Sequence, residues 1–146
     1  MAWVIFHKFL ERQFDGNAVN LDGAGDPRVM LVTSARAPVQ ATDEFMTTID
    51  DTEVSGSNYT ALGFVLPNES IVLNAGVVTF DSDNPTWTQH ATGFATARYA
   101  ILYNNTGAPG TSRVVCYADL GGDKGNVSGD LIVNLDGAGI FTVAAA

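Results

Sequence analysis

Cysteine, histidine and basic side chains are all scarce in this chain. One cysteine, Cys116, among 146 residues cannot close an intrachain bridge, so stability must come from packing, from self-association, or from both. With only His7 and His90 beside it, no zinc site is credible. Long apolar runs are missing too: Ala2-Trp3-Val4-Ile5-Phe6 is broken by His7 and Lys8, too early for a membrane span or a secretory core. From Ala37 to Ala97 there is neither Lys nor Arg, while Asp43, Glu44, Asp50, Asp51, Glu53, Glu69, Asp81 and Asp83 fall in that stretch. Residues 1–36 balance four basic against four acidic groups, so the middle carries most of the net charge of −9. Such a surface repels phosphate backbones, which excludes DNA and RNA as partners, and it reads first as a solvated face that keeps the particle soluble.

What is present is material for one compact unit. The chain is 46% hydrophobic, and a domain of this length buries about 68–70% of its unfolded surface, which excludes a disordered chain. Trp3, Phe6, Phe9, Leu10 and Phe14 recur at spacings of three and four opposite His7, Lys8, Glu11, Arg12 and Asp15, which predicts an amphipathic helix closed by Gly16. Residues 1–16 are therefore expected to form a helical arm, and residues 17–146 a β domain. The arm's aromatic face has two uses open to it: packing on the chain's own sheet or docking on another subunit.

Beyond the arm the pattern shortens to strands. Candidates are Arg28 to Thr33, Tyr59 to Leu66, Ser70 to Leu73, Val77 to Phe80, Thr92 to Tyr103, Arg113 to Asp119, Asp130 to Leu135 and Ile140 to Val143. Asp22-Gly23, Asn104-Asn105-Thr106-Gly107, Gly121-Gly122-Asp123 and Asp136-Gly137 supply the turns. The expected fold is mainly β, an antiparallel β-sandwich or jelly-roll-like barrel with a short N-terminal helix. A second helix is expected over Asp43 to Ile49 with Thr42 as its cap. Val19-Asn20-Leu21-Asp22-Gly23-Ala24-Gly25 recurs unchanged from Val133 to Gly139, one turn solution used twice and a candidate for neighbouring edges of one sheet.

Catalytic chemistry finds little support. His7 and His90 read as surface imidazoles, and Cys116 sits in an apolar strand with no His or Lys beside it to lower its pKa. Asp81-Ser82-Asp83-Asn84 begins like a calcium loop but meets Pro85, Trp87 and Thr88 where ligands or glycine belong. Asp50, Asp51 and Glu53 read as a solvated turn, and Gly121-Gly122-Asp123-Lys124-Gly125 lacks a phosphate-loop ending. No catalytic residue, metal or cofactor is expected. Arg98, the first cation after the basic gap, has two readings: a rim arginine with its stem packed, or a bidentate partner for an acid across a subunit joint.

Several stretches in order carry a resemblance. They are Phe6-His7-Lys8-Phe9, Asp15-Gly16 before Val19-Asn20-Leu21-Asp22, Val29-Met30-Leu31-Val32, Glu53 through Thr60, Val78 through Asp83 with Thr86-Trp87-Thr88, Ala97 through Gly107, and Tyr117 through Asp123. Taken together they resemble small virion proteins of tailed bacteriophages, described as head-decoration or tail-fibre-like. The pattern departs at Asn134-Leu135-Asp136, where a Trp would precede the Asp. The resemblance implies a non-enzymatic β-sandwich subunit, a decoration or cement protein on the outside of the head. It would bind the major capsid protein as a homo-oligomer, without nucleic acid or membrane. Its interface residues would be Trp3, Phe6, Phe9, Leu10 and Arg98. The alternative it leaves is a tail or fibre component that binds host-surface sugars through exposed rings such as Tyr59 and Trp87.

Overall fold

A computed structural model describes residues 1–22 and 25–144. Among the described residues there are ten strands, one α-helix and two 3₁₀ turns, and every pairing between these strands is antiparallel. The strands are β1 (Trp3–Ile5), β2 (Pro27–Val32), β3 (Phe64–Val65), β4 (Ser70–Asn74), β5 (Val77–Asp81), β6 (Thr86–Trp87), β7 (Ala97–Asn104), β8 (Arg113–Lys124), β9 (Leu131–Ile132) and β10 (Phe141–Ala144). The helix α1 spans His7–Phe14. A five-stranded sheet runs β1-β8-β7-β2-β3, a three-stranded one β10-β5-β4, and β6 pairs with β9. The large sheet ends in β1 and β3 without closing, so the arrangement is sandwich-like rather than a closed barrel.

The large sheet is the core. Val29 to Val32, Ala100 to Tyr103 and Val114 to Cys116 are all buried, so its central strands are covered on both faces and read as continuous apolar runs. On one face, Met30 and Tyr103 meet Met46 and Leu62. Phe64, opposite Val29, meets Trp87 edge-on at 5.6 Å, and Trp87 joins Tyr59 and Phe94 in an aromatic cluster.

Four local expectations change. The opening is not a helix from Trp3 onward: Trp3-Val4-Ile5 pairs with Ala118, Tyr117 and Cys116, and α1 begins only after Phe6, whose extended backbone turns the corner. β-branched and aromatic residues suit a strand, and the long free edge of β8 supplies the partner. Trp3–Ile5 is thus a strand of the main sheet, and the helix that follows is shortened to α1. The expected helix over Asp43 to Ile49 is replaced by 3₁₀ turns at Met46–Thr48 and Asp50–Thr52. There Phe45 is extended and bridges Arg113, while Asp43 turns its carboxylate to Arg36 and the Val39 N–H instead of opening a helix. Tyr59 to Leu66 keeps only β3, because Asn58, Leu62 and Gly63 all have positive φ. At Gly63 a Cβ would lie 2.4 Å from the Val29 carbonyl oxygen, so the chain can approach β2 there only as glycine.

The repeated heptapeptide closes the same backbone hydrogen bond in both copies. The Gly25 N–H donates to the Asp22 carbonyl at 2.6 Å and the Gly139 N–H to the Asp136 carbonyl at 2.8 Å, with Leu21 and Leu135 both buried. The two copies are not neighbouring sheet edges, since neither forms a strand. Gly23 and Ala24 lie outside the described residues. Leu135 occupies the place where the resembling pattern has Trp, and its N–H is fixed by the Asn84 side-chain oxygen at 2.7 Å.

Candidate functional site: an apolar face beside α1

The small sheet is amphipathic in the plainest way. Register places Ile71 beside Phe80 and Phe141, and Leu73 beside Val78 and Val143, so one face carries six apolar side chains. The other face alternates Ser70, Val72, Asn74, Val77, Thr79, Asp81 and Thr142. The helix α1 covers one end of the apolar face, with Phe9 edge-on to Phe141 at 5.7 Å and Phe80 buried beneath. The other end is open. Leu10, Phe14, Ile71 and Val143 stand exposed around a groove of about 300 Å³, and Leu73 extends the same face beyond it, with Phe14 at 89% and Leu73 at 70% exposure. No charged side chain lies between Ser70 and Phe80.

Ion pairs hold α1 at its post. The Arg12 Nε donates to Glu44 Oε1 at 2.8 Å, the same carboxylate receives Arg113, and the Arg113 guanidinium lies 4.6 Å over the Phe45 ring. The Arg12 hydrogen bond, opposed by some desolvation and aided by Arg113, holds the Glu44 carboxyl below its ordinary range. Phe6 donates its N–H to the Val115 carbonyl and His7 to the Gln40 carbonyl, while the Gln40 amide returns to the Ile5 carbonyl.

The expected interface residues divide sharply. Phe6 is fully buried and packs, tilted, against Tyr117 at 5.1 Å, and Phe9 is buried against Phe141, so both are occupied by the chain's own core. Trp3 is half-buried, and its Nε1 is out of water with no partner among the described residues. Of the expected interface residues Leu10 alone is exposed at the groove, with Phe9 buried in its lining; Phe14, from the same stripe, and Ile71 of β4 complete it. Arg98 is bidentate, with Nε and Nη2 at 2.8 and 2.9 Å from the Asp119 carboxylate, but that acid belongs to the adjacent strand of the same chain. Its fork is thereby engaged internally. β4 is visible in the short apolar run from Ser70 to Leu73, yet only the fold reveals that no described strand lies outside it.

The reactive side chains have structural employment. Cys116 is buried and its thiol is pushed up by desolvation, as its apolar run implies. His90 Nδ1 faces the Thr92 N–H at 3.2 Å and orders a loop. Asp81 caps the Ser82 N–H, Asp83 accepts from the Asn68 amide, and Asn84 holds Leu135, so these oxygens bind loop donors. Asp50 and Asp51 do lie in a turn, but Glu53 turns inward to accept the Tyr59 hydroxyl and the Leu62 N–H, each at 2.8 Å. Trp87 is buried and the Tyr59 hydroxyl is committed to Glu53, while both rings line an open cleft of about 820 Å³ with Arg28, Asn58 and Thr88. Comparison with family models, with curated proteins and with solved structures returns no match.

Proposed function

We propose that this protein is a non-enzymatic structural subunit of a tailed-phage particle, a decoration protein that sits on the outside of the head and cements the major capsid protein as a homo-oligomer. The observation that carries this reading is the uncovered apolar face around Leu10, Phe14, Leu73 and Val143 on a small acidic β protein. Monomeric proteins rarely leave such a contiguous patch in water, and its burial across a joint stabilises by ~25 cal/mol per Å². The sequence resemblance supplies the particle. The anchor is relocated from Phe6 and Phe9 to the outer side of α1 and the small sheet, while the basic-poor middle of the chain gives the exposed surface its acidity. The tail or fibre reading would instead use the open cleft lined by Tyr59 and Trp87.

Heads prepared without the protein provide the test. The full chain is expected to bind them saturably, and Phe14→Asp, a change at a solvent-exposed position, is expected to weaken binding at least tenfold without altering the fold. Absence of binding by the unaltered chain, or undiminished binding by the variant, overturns the assignment.

A further inference from the structure

We propose that the outer edge of β4 is a subunit interface, across which two copies of this chain pair antiparallel about a two-fold axis at Val72. The inference extends the reading of an assembling subunit by naming where copies join. It starts from the hairpin. Ala75 and Gly76, both with positive φ, form a two-residue loop of the I′ kind between Asn74 and Val77. Such a loop closes on a hydrogen-bonded pair, and an antiparallel ladder alternates, so Val72 and Ser70 also bond to β5. Ile71 and Leu73 therefore direct their N–H and C=O groups away from β5, where no described strand receives them.

Free edges of this kind are normally blunted by charge, proline, a bulge or a cover. β4 has none of these: Ser70-Ile71-Val72-Leu73-Asn74 is regular, uncharged, free of proline and exposed at all five residues. The unpaired groups specify a β-strand as occupant, and the segment is its own complement. With Val72 opposite Val72 of the second copy, each Ile71 faces a Leu73, and those are the residues whose backbone groups point outward. Both apolar side chains then lie on the same face as their counterparts. The outcome is a six-stranded sheet in which the two apolar faces merge on one side. A net charge of −9 on each copy opposes the contact, but no charged group lies within the strand itself, so salt should strengthen association. An edge this short buries less than the ~1,200 Å² of a standard interface, so pairing should depend on concentration.

Sedimentation equilibrium of the isolated full chain tests the interface without any phage head. The mass should rise with concentration from 15.4 kDa toward twice that value, more readily at high salt. Leu73→Lys, at an exposed position, and Ile71→Pro, which removes only an outward N–H, should each hold the chain at monomer mass. Register is read by crosslinking. Cα atoms of a non-hydrogen-bonded pair lie ~4.5 Å apart, so Val72→Cys should oxidise to a covalent dimer. Leu73→Cys, displaced from its own counterpart beyond the ~7 Å limit, should not. The buried Cys116 does not compete. A chain that stays monomeric throughout, association that survives both edge variants, or crosslinking at position 73 in place of 72 overturns the proposal. Monomeric protein that still binds heads would defeat this interface and leave the decoration reading standing; dimers that ignore heads would do the reverse.

Discussion

Glu53 sits where a charge is least comfortable. Half-buried beside β2, it accepts hydrogen bonds from Tyr59 and Leu62, yet desolvation outweighs them and raises its pKa above the ordinary value of about 4.5. The folded state therefore holds this proton more tightly than the unfolded chain. Its contribution to stability is fully present below the ordinary glutamate range and is lost as pH rises through the raised folded value. Glu53→Gln keeps an acceptor for the same two donors without the charge. Urea denaturation should show the variant gaining on the parent as pH is raised from 4 to 7, the opposite of the trend expected at Glu44, whose pKa is lowered. A constant difference across that range would show that Glu53 carries no desolvation penalty. Sequence alone grouped Glu53 with Asp50 and Asp51, because adjacency says nothing about which way a carboxylate turns.

Elements were legible where local pattern and tertiary partner agree. β2 and the core of β7 and β8 lie within a residue or two of their apolar runs, since a strand buried on both faces can hardly be anything else, and the less buried β4 and β5 match through their short β-branched runs. The failures share a cause. Trp3 to Ile5 fits a helical spacing and a β composition equally well, and the decision belongs to the edge of β8, far along the chain. Leu131–Ile132 stops short because side chains and loop carbonyls replace the ladder: Val133 donates to the Pro85 carbonyl and Leu135 to Asn84. The strongest such substitution is at Asn126, which nothing in the pattern marks. Fully buried, it donates to the Ser57 and Thr88 carbonyls at 3.1 and 2.9 Å and accepts the Phe94 N–H at 2.9 Å, tying three loops together. Asn126→Ala leaves those groups unsatisfied and should cost about 3 kcal/mol or more in chemical denaturation. A loss below about 1 kcal/mol would mean the loops are fixed by something else. The open end of the apolar groove was half legible: Leu10 belonged to the predicted stripe, but the contribution of β4 depends on which strand ends a sheet.

At the scale of the molecule, the leading segment and the distant β8 are one structure. Removing residues 1–6 strips a strand from the large sheet and takes Phe6 from the core, where loss of a buried aromatic ring alone costs about 3–5 kcal/mol. The truncated chain should therefore lose cooperative unfolding or melt far below the intact protein, as circular dichroism would show. Retention of the parent's melting temperature would mean that β1 is an appendage after all. This coupling is why the proposed attachment has to be probed by point changes on the outer surface of α1 and not by deleting the opening residues.

The same pairing of Trp3 with Ala118 sets an order of events during synthesis. β1 and Phe6 are made well before their partners in β8, so neither can reach its native place until β8 follows. Chaperones that shelter nascent apolar segments should therefore matter more for the yield of this small protein than its size would suggest.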